Sequence, residues 1–181
     1  MSLFDQKQSY MDTGYPYFFT LSIENFVPLL KDDKLKEIII ESWQYLTTEK
    51  PIEIYAYVIM PNHIHLLWTM LALKGKETPA GSFSKFTAHK FRKYLLNNRP
   101  ELLEQFIVDK RDRSHQFWKR DPLAMPITGE KIFLQKLAYI HHNPIAEKWG
   151  LCTYPEEYCW SSARFYQDGK DEFEFVKHFR D

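Results

Sequence analysis

Cysteine is scarce in this chain. Cys152 and Cys159 are its only two in 181 residues, and their spacing matches neither a disulfide framework nor a paired C-x-x-C zinc motif. A reducing cytoplasm is the expected setting. Long apolar runs are missing as well. The most hydrophobic stretch, Tyr57 to Leu73, is broken by Pro61, Asn62, His63 and His65, which are costly in hydrocarbon, so no membrane partner is expected. No charged leader with an apolar segment and a small-residue cleavage site opens the chain. Repeats and low-complexity tracts are absent. So is net charge, with 24 Lys and Arg against 24 Asp and Glu. This excludes a uniformly basic nucleic-acid binder and turns attention to where the charges sit.

They are not evenly spread. Lys85, Lys90, Arg92, Lys93, Arg99, Lys110, Arg111, Arg113, Lys119 and Arg120 crowd the middle of the chain, and the compensating acids gather towards the tail from Glu156 to Asp181. An aromatic content of 17% supplies bulk for a sizeable core, and a single domain spanning residues 1–181 is expected.

The segment Tyr17 to Glu24 is rich in aromatic and β-branched residues and reads as a strand. Asp32 and Asp33 open a helix whose apolar face carries Leu35, Ile38, Ile39, Trp43 and Leu46, and Pro51 ends it. Ile52 to Met60 alternates, with Ile52, Ile54, Ala56 and Val58 on one side, then turns through Pro61-Asn62 into a second strand, His63 to Met70. A loop with Gly75, Pro79 and Gly81 leads to Ser82, an expected N-cap for a helix to about Asn98. Phe83, Thr87, Phe91 and Tyr94 form that helix's inner side, while Lys85, His89, Arg92 and Lys93 form a basic outer one. An edge strand is expected between Phe117 and Ile127. A last helix begins at Glu130 and stops near His142, because Asn143 precedes a proline. The fold class is α+β: a ferredoxin-like β-α-β-β-α-β sandwich with an antiparallel sheet and an additional C-terminal helix carrying Tyr139.

His63-Ile64-His65 is the sharpest local signal. Period-two geometry puts both imidazoles on one strand face, where they can chelate one metal ion. On the last helix Phe133, Leu134, Leu137 and Ile140 read as the core stripe, with Tyr139, Lys136 and Asn143 about a third of a turn away. The four-residue spacing lets the Tyr139 phenol and the Asn143 amide oxygen address one spot. Each feature alone also has a structural reading, a turn-capping imidazole or a boundary aromatic.

Ile59-Met-Pro-Asn-His-Ile-His-Leu-Leu67 and Tyr139-Ile-His-His-Asn-Pro144 together resemble the hallmark segments of the single-tyrosine HUH transposases, in particular the REP-associated branch. Tyr15 to Thr20, Trp149-Gly-Leu151 and Pro155 to Ser162 are similar too, so the likeness spans nearly the whole chain; Ile145 to Trp149 departs from the family pattern. The resemblance implies that His63, His65 and Asn143 hold a divalent metal, Mg²⁺ or Mn²⁺, and that Tyr139 attacks the DNA backbone.

That implied chemistry suits the residues. A metal on phosphoryl oxygens neutralises developing charge, and a phenol with an ordinary pKa of ~10 needs help to ionise at neutral pH. Lys136, one turn before Tyr139, can supply it. The expected substrate is single-stranded or hairpin DNA, with phosphates held by Lys85, His89, Arg92, Lys93, Arg111, Arg113, Lys119 and Arg120, and bases stacking on Phe86, Phe117 or Trp118. A homodimer is an open expectation. The alternative is a catalytically inactive ferredoxin-like module that binds nucleic acid as a repressor or structural element.

Overall fold

The computed structural model describes residues 11–72 and 77–181; Leu73 and Gly75 lie outside them. In chain order the main elements are β1 (Pro16–Ser22), α1 (Asp33–Glu49), β2 (Ile52–Met60), β3 (His63–Met70), α2 (Pro79–Asn98), α3 (Pro100–Leu103), β4 (Ile107–Lys110), β5 (Arg113–His115), β6 (Leu123–Pro126), α4 (Glu130–His142) and α5 (Ala163–Asp168). Four strands pair in the order β2-β3-β1-β6, antiparallel throughout. With the β4-β5 hairpin set aside, this is the expected ferredoxin-like sandwich.

Both faces of the sheet are covered. On one, Tyr17, Phe19, Leu21, Ile64, Leu66 and Trp68 pack with Leu35, Ile39 and Trp43 of α1 and Phe83, Phe91 and Leu95 of α2. On the other, Phe18, Val58, Met60 and Leu67 pack with Phe133, Leu137 and Ile140 of α4. Residues Ile64 to Met70 of the inner strand β3 are accordingly all buried. The added helix thus lies alone on the face opposite α1 and α2.

Two local devices start the helices. Asp32 caps α1 by accepting from the Lys34 N–H at 2.9 Å, as its sequence position promised. In α2 the cap is Thr78, whose hydroxyl accepts from the Gly81 N–H at 3.1 Å, not Ser82. Pro79 and Gly81 therefore belong to the first helical turn, where a proline costs nothing because its missing N–H would have no partner.

The expected alternation of β2 does not persist. A β-bulge falls between Ile54, opposite Trp68, and Ala56, opposite Leu67. Before it, Ile52 and Ile54 face the α1/α2 side; after it Tyr57 and Ile59 do. The extra residue inverts the facing of everything downstream, so Val58 and Met60 line the α4 side opposite His65 and His63.

The acidic tail covers the β2 edge. Tyr158 and Tyr166 donate hydroxyls to the Ile59 and Tyr55 carbonyls at 2.7 and 2.9 Å, and Ile59 N–H donates to the Trp160 carbonyl at 2.9 Å. An exposed edge is thereby shielded from pairing with another chain. Among the described residues, no helix is long and apolar enough to cross a membrane.

Candidate active site

The β2-β3 turn brings His63 and His65 onto the α4 face. His63 lies opposite Met60 and Ser22, and His65 opposite Val58 and Thr20. Their ring centroids are 4.7 Å apart. Each ring is held through Nδ1. His63 Nδ1 meets Asn62 Oδ1 at 2.7 Å, and because the Asn62 amide nitrogen donates to the Phe26 carbonyl, Oδ1 is the acceptor and the imidazole donates. His65 Nδ1 meets the Thr20 hydroxyl at 2.7 Å, while its Nε2 is buried without a hydrogen-bond partner.

Burial, with the Lys148 ammonium adding, pulls the His63 pKa down to about 4. Burial, then His63, Lys136 and Lys148, pulls His65 to about 3. Both imidazoles are therefore neutral at physiological pH, the form that binds metals. An orphaned, buried Nε2 in a neutral ring is an unusual expense, and it fits a divalent ion. Among the described residues no cluster of three His, Cys, Asp or Glu that could hold a metal exists, so an ion at the two histidines would need a third ligand of another type. Asn143, expected in that place, caps the C-terminus of α4 and is 7% exposed.

Helix α4 has the predicted bounds, but its buried residues are Phe133, Leu137, Ile140 and His141. Leu134 is 40% exposed. His141 takes the inward place and meets the Ser162 hydroxyl at 2.9 Å; the same hydroxyl accepts from the Tyr57 N–H of β2 at 3.0 Å. No periodicity argument flags that relay, since Ser162 belongs to the tail. The helix keeps its expected face inward, and Tyr139 meets His65. Its ring lies 5.3 Å from that of His65 and 5.8 Å from Phe18, and it is 49% exposed. Lys136 Nζ sits 4.7 Å above the Phe18 ring and 5.8 Å from the Tyr139 ring. Trp149, 5.7 Å from His63, closes the far side; sequence reading did not assign it a place here. His63, His65, Lys136 and Tyr139 come together within one chain.

The basic residues are elsewhere. Lys85, Arg113, Lys119 and Arg120 line a groove of about 820 Å³ between α2, the β4-β5 hairpin and the segment before β6. Phe19 and Leu21 of β1 form part of its wall, so it lies on the α1/α2 side of that strand. His89, Arg92, Lys93 and Arg111 are exposed outside it. Phe117 and Trp118 are core residues, 2% and 6% exposed, with the Trp118 indole donating to the Thr87 hydroxyl at 2.8 Å. Neither presents a face for stacking.

The fold is that of a REP-associated tyrosine transposase. The solved structure of such an enzyme bound to a REP hairpin matches with a TM-score of 0.63 over 98% of this chain and 94% of that one, at 18% identity. A protein assigned as a transposase in Deinococcus radiodurans matches at a TM-score of 0.43 and 18% identity, over 75% of this chain and 95% of its own. A bacterial tRNA(His) guanylyltransferase-like protein in complex with GTP also scores 0.43, at 13% identity, over 81% and 71% of the two chains. Scores of that size do not establish a common fold. No protein-family model matches the chain, and no curated protein sequence does.

Proposed function

We propose that the protein is a DNA strand transferase that cuts and rejoins single-stranded DNA beside a hairpin, acting in the cytoplasm with Tyr139 as nucleophile. The observation that carries the reading is the contact of an exposed tyrosine with His65, the one of two adjacent neutral histidines whose buried Nε2 is orphaned. The REP hairpin bound by the structural neighbour supports a hairpin as substrate.

His63, His65 and Asn143 would hold a divalent ion, Mg²⁺ or Mn²⁺, which would supply charge neutralisation on the phosphoryl oxygens. The rest falls to the chain. The Tyr139 oxygen bonds to phosphorus as its proton leaves, the bond from phosphorus to the 3′-oxygen breaks, and that oxygen is protonated as a free hydroxyl. Lys136 stabilises the phenolate and the phosphate beside it. The 5′-phosphotyrosine retains the phosphodiester's bond energy, and attack by an incoming 3′-hydroxyl reverses the step.

The test is a hairpin oligonucleotide with single-stranded flanks, incubated with Mn²⁺ and analysed for a covalent adduct. The expected adduct maps to Tyr139 and vanishes in Tyr139→Phe. Hairpin binding with no adduct across many flanks would favour the inactive binding module.

A further inference from the structure

The turn after β1 presents an aromatic ring that the mechanism above does not use. Asn25 and Phe26 both have a φ of 53°, the left-handed region that a bulky residue enters only at an energetic cost. Strain of this kind persists where surroundings enforce it, and it gathers at functional sites. Here it does not serve to bury the ring. Phe26 is 54% exposed and belongs to neither core cluster.

Its surroundings point both ways along the molecule. The Lys119 ammonium lies 4.0 Å from the ring centroid, and Lys119 also lines the basic groove. The Phe26 carbonyl accepts from the Asn62 amide at 3.2 Å, and Asn62 is the residue that orients His63. Phe26 therefore stands between the groove lined by Lys85, Arg113, Lys119 and Arg120 on one side of β1 and the histidines on the other. The turn's own carboxylate, Glu24, accepts from the Gln116 amide, so that charge is engaged locally.

We infer that Phe26 is a base-stacking platform for a nucleotide of the single-stranded flank, with Lys119 holding the adjoining phosphate, on the path from the basic groove to the active site. This rests on the proposed action on DNA. One face of the ring carries the ammonium, and the exposed remainder is what a nucleobase would cover. Stacking on an aromatic is sequence-tolerant, so the platform would set where the strand lies, not which bases it bears.

The experiment compares the full-length protein and its variants for binding of a blunt hairpin and the same hairpin with a single-stranded flank carrying 2-aminopurine. Phe26→Asn removes the ring and places at this φ a residue that tolerates it better. The expected result is unchanged or raised thermal stability, unchanged blunt-hairpin binding, and a roughly 5- to 150-fold loss of the flank's contribution. Phe26→Trp should retain that contribution and quench the 2-aminopurine. Flank binding by Phe26→Asn equal to wild type overturns the platform alone. Loss of stability with proportionate loss of both binding modes assigns Phe26 a structural role and overturns it too. Failure of the wild type to bind either DNA overturns the platform together with the function it rests on.

Discussion

Tyr139 and His65 meet edge to face, ring centroids 5.3 Å apart at 68°, although one is on a helix and the other on the second strand of a hairpin. The contact exists because α4 packs on the sheet face that carries the odd-numbered residues of β3. Phe18 completes it, stacked on His65 at 5.2 Å.

Metal should stabilise the protein through this site. A ligand bound only by the folded state adds about 2.7 kcal/mol at a hundred times its Kd. Mn²⁺ titration is expected to raise the Tm of the wild type and leave that of the His63→Ala, His65→Ala double variant unmoved. An equal shift in both would place the ion elsewhere.

Acid should destabilise the fold in a defined window. Burial lowers His65 to about 3 and His63 to about 4, and burial, then His142, lowers His141 to about 4. In the unfolded chain each titrates near 6.5. Below that value the unfolded state takes up protons that the folded state refuses, so the stabilisation is complete above about pH 7 and is lost as pH falls. By pH 5 each group costs up to about 2 kcal/mol. Urea midpoints measured from pH 7.5 to 4.5 should fall steeply below about pH 6.5; a flat profile would mean the imidazoles are not buried neutral.

The basic residues should divide by position. Neutralising Lys85, Arg113 and Arg120, which share the groove, is expected to lower the slope of log K against log salt by about 0.7–0.9 per lost phosphate contact. Neutralising the exposed Lys93 and Arg111 should change it less. The reverse ranking would move the DNA path to the outer face of α2 and the β4-β5 turn.

The relay from His141 to Tyr57 through Ser162 should couple stability to chemistry. Ser162→Ala leaves the His141 nitrogen and the Tyr57 N–H short of a buried partner, worth about 1–3 kcal/mol. Because α4 carries Tyr139, adduct formation should slow while hairpin binding holds. A double-mutant cycle with His141→Phe that shows no coupling energy would mean the two residues act independently.

Much of the site was legible because its signals are local. A strand repeats every two residues, so His63 and His65 had to share a face. A helix repeats every 3.6, so Tyr139 and Asn143 had to align, and the proline after Asn143 had to end the element near His142. Asp32 as a cap and Pro61-Asn62 as a turn are equally local choices. None of these depends on what packs against them.

Other facts needed the assembled chain. His141 is buried where Leu134, seven residues earlier on the same face, is exposed, and its partner Ser162 comes from the tail, which helical periodicity cannot see. The bulge after Ile54 inverted β2 because register is settled between strands. The basic groove came to lie across β1 from the histidines because α2 and α4 chose opposite faces. The sequence by itself determined which side chains could act together within an element; the tertiary structure decided which elements face each other, because desolvation, cross-strand register and layer packing arise only from contacts between residues distant along the chain.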